Sequence, residues 1–222
     1  MDWTAQVDAY CERLGPGFWA EPMNAVTNAA FLLAALVMAL RLRGHGLPIA
    51  NLLVGFLAAI GIGSFLFHTF ATRWAGLADT LPILMFALVY IFAASCEYLR
   101  LSLVRAILVV VALFPFVALL MPLLGRLPLF GSSAGYVPIL LYIAIFAAIT
   151  RGPVARGLGL WIAVALLTAS LTFRSLDMQT CSGFPLGTHF LWHILNAVLL
   201  GWMIEVYRRA ALRRLADQPR GG

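Results

Sequence analysis

GHGLPIANLLVGFLAAIGIGSFLFHTFAT, residues 44–72, runs from end to end without an Asp, Glu, Lys or Arg. A helix rising 1.5 Å per residue needs roughly 17 to 25 predominantly apolar residues to cross a bilayer, so this run is long enough to span one. It is also continuous. A membrane β-strand would show apolar and polar side chains in alternation over about ten residues, so a barrel does not fit.

The pattern recurs along the chain, with further charge-free stretches at 22–40, 80–96, 106–125, 127–150, 157–173 and 178–204. Charged residues make up 11% of the 222 and hydrophobic residues 63%, whereas soluble domains carry about 25% charged residues. The sequence predicts an all-α integral membrane protein, a bundle of seven transmembrane helices near 23–42, 48–70, 78–98, 104–124, 135–150, 157–174 and 188–207. No linker, repeat or low-complexity tract divides it, so 1–222 reads as a single domain. Segment 1–22 precedes the first span, and 208–222 forms a basic tail after the last. Asp2, Asp8, Glu12 and Glu21 lie in the first segment, with no apolar core behind a basic start. No signal peptide is expected, and the segment stays on the mature protein. GSSAG, residues 131–135, reads as a turn before the fifth span.

Alternating the spans sorts the loops by side. Arg13, Arg73, Arg126 and Arg174 share the N-terminal side, and the other eleven of fifteen basic residues, all Arg, fall opposite. Basic residues concentrate in cytoplasmic loops, so the C-terminus is expected in the cytoplasm and the N-terminus outside. The +6 formal charge is explained by topology and anionic headgroups, and needs no nucleic-acid partner. Arg without Lys suggests a GC-rich bacterial genome, hence a bacterial inner membrane with the outer side periplasmic. Trp19, Trp74 and Trp192 near that boundary read as an interfacial belt.

Polar residues gather at the outer side. His68 ends the second span, Asp79 begins the third, and His189 and His193 begin the seventh; His45 alone falls in a cytoplasmic loop. Ser64 and His68 are four residues apart, as are His189 and His193, so each pair shares one helix face. Two such histidines and a third from another helix supply the three protein ligands of a catalytic zinc site, with the fourth position left for water. Ionisable groups inside spans are costly and default to function. Zinc suits neutral imidazoles, though iron, nickel and copper also accept them.

These residues resemble the alkaline ceramidase family, membrane amidases within a superfamily that also holds the adiponectin-receptor-like proteins. The resemblance runs over nearly the whole chain, through CERLGPGFWAEPMNAVTN at 11–28, GSFLFHTFATRWAGLADTLP at 63–82 and DMQTCSGFPLGTHFLWHILN at 177–196. It implies zinc on His68, His189 and His193 with Ser64 and Asp79 beside it. It also implies a calcium site on the N-terminal acids Glu12 and Glu21, with Asp8. The sequence departs from that pattern at Ala9 and Leu14, where the animal enzymes carry Asp and Asn. The other reading of Glu12 and Glu21 is that they decorate an outward segment and cap the first helix.

The chemistry that follows is amide hydrolysis, with Asp79 moving protons between water and the leaving amine and Ser64 donating a hydrogen bond to the carbonyl oxygen or the attacking water. A site between helices at the outer membrane level is reached most directly by a lipid, so ceramide or a similar lipid amide is the expected substrate. Three alternatives stand beside it: a receptor-like protein with structural zinc, a transporter, and a lipid esterase. Cys11 and Cys181 both fall on the outer, oxidising side and are expected to pair, while Cys96 at the cytoplasmic end of the third span stays reduced.

Overall fold

A computed structural model describes residues 2–126, 131–151 and 158–217. Its helices are α1 Pro22–Thr27, α2 Ala29–Leu42, α3 Pro48–Phe70, α4 Arg73–Glu97, α5 Leu103–Leu124, α6 Val137–Ile149, α7 Gly159–Thr180 and α8 His189–Ala216. Taken together, α1 and α2 make one span broken at Asn28. Among the described residues, six spans are long and apolar enough to cross a membrane, and a shorter apolar one covers Ser133–Ile149. This is the seven-helix bundle. Helices suit the bilayer because every backbone N–H and C=O is satisfied within the segment. The 23 residues of α3 give about 34 Å at 1.5 Å each, against a hydrocarbon core of about 30 Å.

Several boundaries differ from the sequence expectation, each for a local reason. The third span begins at Arg73 rather than 78, because the N-terminal segment lies along the α3–α4 turn and feeds the first orphan donors of α4. Arg73 N–H donates to the Ala5 carbonyl at 3.2 Å and Trp74 N–H to that of Trp3 at 3.1 Å. Asp79 therefore sits in the second turn, not at the helix start. The sixth span continues past 174 to Thr180 and carries Arg174 and Asp177 inside it. The last runs to Ala216, so 208–216 of the expected tail are helical; residues 218–222 lie outside the described residues. GSSAG opens a 3₁₀ helix, Gly131–Tyr136, that leads into α6.

Packing places α8 at the centre, against α2, α3, α4 and α7, while α5 lies at the edge. At the end opposite the histidines, ion pairs tie the bundle. Arg41 reaches Glu205 at 3.1 Å, joining α2 to α8, and Arg214 reaches Glu97 at 2.9 Å, joining α8 to α4.

One close approach positions the site. Pro82 lies inside α4 and has no N–H to offer the carbonyl four residues earlier, that of Ala78. A Cβ at Gly63 of α3 would run into that carbonyl. Only glycine lets the two backbones meet there, and the meeting point is flanked by Ser64 and Asp79.

Candidate active site

His68, His189 and His193 come together, each 1% exposed. One ring nitrogen from each lies within 4.8 Å of the others, and among the described residues this is the single group of three or more such side chains able to hold a metal ion. His68 Nε2 and His193 Nε2 face each other at 3.1 Å. Their outer nitrogens are both occupied. His68 Nδ1–H donates to Glu21 Oε2 at 2.6 Å. His193 Nδ1 meets Thr27 Oγ1 at 2.9 Å, and the Thr27 hydroxyl spends its own proton on the Met23 carbonyl at 2.8 Å and that of Asn24 at 3.1 Å. The hydroxyl must then accept from Nδ1–H, which leaves a lone pair on His193 Nε2. Such partners on the far nitrogen fix the tautomer and aim the ring of a metal-bound histidine. His189 Nδ1 is buried with no hydrogen-bond partner. Inward lone pairs and an orphaned imidazole nitrogen fit a divalent ion of zinc type.

Ser64 lies one turn from His68 on α3, next to Gly63, whose backbone meets that of α4 at Ala78, the residue before Asp79. Ser64 and Asp79 line an elongated cavity of about 450 Å³ whose other walls are almost wholly apolar, including Phe86, Tyr90, Leu113 and Met203. On α4 the lining extends from Asp79 to Ala94, which is about 22 Å of helix. The polar pair thus closes one end of a greasy channel beside the histidines. Trp192, expected in an interfacial belt, is instead 7% exposed and lines this cavity, while Trp19 and Trp74 are exposed at 59% and 38% as a belt requires. Its place on α8, one residue before His193, turns it inward.

The acids expected to hold calcium are not gathered. Asp8 is exposed. Glu12 accepts the N–H groups of Met23 at 2.7 Å and Asn24 at 2.8 Å, capping α1 as the second sequence reading has it. Glu21 has one oxygen on Arg13 at 2.5 Å and the other on His68 and Asn24. Burial would raise its pKa, but His68 and Arg13 outweigh that and hold the carboxyl below the ordinary glutamate range. Calcium takes six to eight oxygens, and these residues do not fit it.

Cys11 and Cys181 are joined in a disulfide that fastens the N-terminal segment to the loop before α8, and Cys96 is free. Tyr10, next to Cys11, stacks on His189 with ring centroids 3.8 Å apart. Burial pushes its phenol well above the usual tyrosine value, against the pull of Arg174.

Three charged residues that matter here escaped the sequence reading. Asp177, 1% exposed, accepts the N–H groups of Cys11 at 2.9 Å, Thr188 at 2.7 Å and His189 at 2.9 Å. It caps the helix that carries two of the histidines. Gly187, at φ +62, lies so close that a Cβ there would strike the Asp177 carboxylate. Arg174, expected in a loop, lies over the rings of Tyr136 at 5.2 Å, Trp192 at 5.5 Å and Tyr10 at 5.9 Å. Arg13 is buried at 6% exposure. The available signal was the charge itself, since an acid or an Arg beside an apolar run needs a partner.

A family model described as Ceramidase matches residues 4–219 of the chain. No curated protein sequence matches it.

Proposed function

This chain belongs to the ceramidase family, whose members are membrane hydrolases of amide bonds, and from that membership we propose that it is a zinc-dependent amidase. It cleaves the N-acyl bond of ceramide or a ceramide-like lipid amide to a free fatty acid and a sphingoid base. The observation that carries this is the junction of Ser64 and Asp79 with a long apolar cavity beside the three histidines. A cavity shaped as a channel, polar only at one end, suits an acyl chain whose carbonyl stops at the polar pair.

His68, His189 and His193 would hold the ion. Zinc bound there supplies a Lewis acid, polarising a carbonyl and lowering the pKa of water. The protein's own groups do the rest. Asp79 takes the proton of the attacking water on its carboxylate and returns it to the amine nitrogen as the C–N bond breaks. Ser64, one turn from His68 on α3 and lining the cavity together with Asp79, offers its O–H to the carbonyl oxygen as charge develops there.

Substrate reaches the cavity from the side. Leu84 on α4 and Phe114 on α5 line it while 40% and 54% exposed, which supports a lateral opening towards lipid. The eleven-to-four distribution of Arg supports a bacterial inner-membrane location with the site on the periplasmic side.

The decisive experiment is Asp79→Asn, which keeps shape but cannot carry a proton. Zinc occupancy should stay near wild type while hydrolysis of lipid amides falls roughly 10²- to 10⁴-fold. Wild-type hydrolysis with zinc retained would refute the mechanism.

A further inference from the structure

The N-terminal segment meets the histidine cluster through a cation of its own. Three oxygens converge on the Arg13 guanidinium: Glu21 Oε1 accepts from Nε at 2.5 Å, the Gly15 carbonyl from Nη1 at 2.9 Å, and the His68 carbonyl from Nη2 at 3.0 Å. One carboxylate and two carbonyls are oxygens of the kind a hard cation takes, in fewer than the six to eight that calcium needs. Here a guanidinium holds them, in a pocket where the side chains of Arg13 and Glu21 are each 3% exposed.

The link reaches both ends of His68. Nη2 holds its backbone carbonyl directly. Glu21 bridges the guanidinium to the imidazole, with Oε1 on Arg13 and Oε2 on His68 Nδ1. A buried carboxylate without a counter-charge is strongly destabilising, so Glu21 can serve His68 only while a cation is beside it. The planar fork of Arg reaches separate oxygens at fixed angles, which the single ammonium of Lys cannot do. Leu14, the neighbour of Arg13, is 90% exposed and offers no side-chain oxygen.

We propose that the Arg13 guanidinium is the resident cation of this segment. It stands in place of a bound calcium ion, frees the chain from any need for calcium, and acts as a positioning residue that fixes the His68 imidazole through Glu21. The positioning half rests on the reading of His68 as a metal ligand; the calcium half does not.

The test uses the full chain purified in detergent micelles. Thermal unfolding of the wild type is followed with EGTA and then with millimolar calcium, alongside equilibrium dialysis against labelled calcium. Tm should not move and no calcium should be retained; saturable binding with a rise in Tm overturns the resident-cation half. Zinc affinity is then read by competition with a chromophoric chelator. In Arg13→Gln the zinc Kd should rise about 10- to 100-fold, as for loss of an outer partner of a ligand, and Arg13→Lys should recover part of that. A folded Arg13→Gln with wild-type zinc affinity overturns the positioning half. Should Arg13→Gln fail to fold, Arg13→Lys, which keeps the buried charge, carries the measurement, and wild-type zinc affinity in it overturns the claim for the guanidinium fork. Wild type that binds no zinc overturns the metal reading and the positioning half together, while the calcium titration still decides the rest.

Discussion

Asp177→Asn should cost far more than an isosteric change at a helix end suggests. The carboxylate accepts three backbone donors, two on Oδ1 from Thr188 and His189 and one on Oδ2 from Cys11. A bond to a charged acceptor contributes about 1.5–3 kcal/mol net, and a neutral one about 0.5–1.5 kcal/mol. An amide keeps one carbonyl oxygen, which can serve the Oδ1 pair without the charge, a loss of about 1 kcal/mol for each bond. Its NH₂ then faces the N–H of Cys11, donor against donor. The disulfide to Cys181 keeps Cys11 from swinging out to water, so that N–H stays buried and unpaired, at about 1–3 kcal/mol. Together these give about 3–5 kcal/mol. Equilibrium unfolding in mixed micelles with increasing dodecyl sulfate, disulfide intact, measures it against the wild type. Zinc affinity should fall as well, because His189 is the first residue of the helix that Asp177 caps. A difference below about 1 kcal/mol would show that solvent or another donor satisfies this junction, and the capping argument would be wrong.

Elemental analysis should find one zinc per chain, and His189→Ala or His193→Ala should remove it; full retention in both variants would end the assignment of these ligands. For orientation, a reporter active only in the cytoplasm should work when fused after Arg220, and one active only outside should not. The opposite result would place the site on the cytoplasmic leaflet.

Hydropathy reads what lipid demands of a chain, and the bundle follows from that demand. The seven apolar runs became the spans, and the three histidines met because spacing of four fixes a helix face and alternation of spans fixes an end. What hydropathy misses is a charge already neutralised by a partner. Arg174 and Asp177 end the sixth apolar run in sequence, yet α7 carries both onward to Thr180, because Asp177 is satisfied by three N–H groups and Arg174 lies against aromatic faces. Those partners are 11 to 166 residues away for the acid, so no local window contains them. The start of α4 was misread for a related reason, since its first donors are served by Ala5 and Trp3 rather than by a capping side chain.

The same physics explains why the acids of the N-terminal segment could not be sorted by composition. Glu12 and Glu21 lie nine residues apart in the sequence and look equally suited to a metal ion. Their environments separate them. Glu12 faces the free N–H groups at the start of α1, where a carboxylate is stabilised by backbone donors and the helix dipole. Glu21 faces an imidazole on one side and a guanidinium on the other, so its charge is shared between the histidine cluster and Arg13. With Arg13 on one oxygen and His68 and Asn24 on the other, the charge of Glu21 is already matched by a cation. The two acids are separated by a single basic residue, Arg13, whose role depends on where the segment folds back against His68.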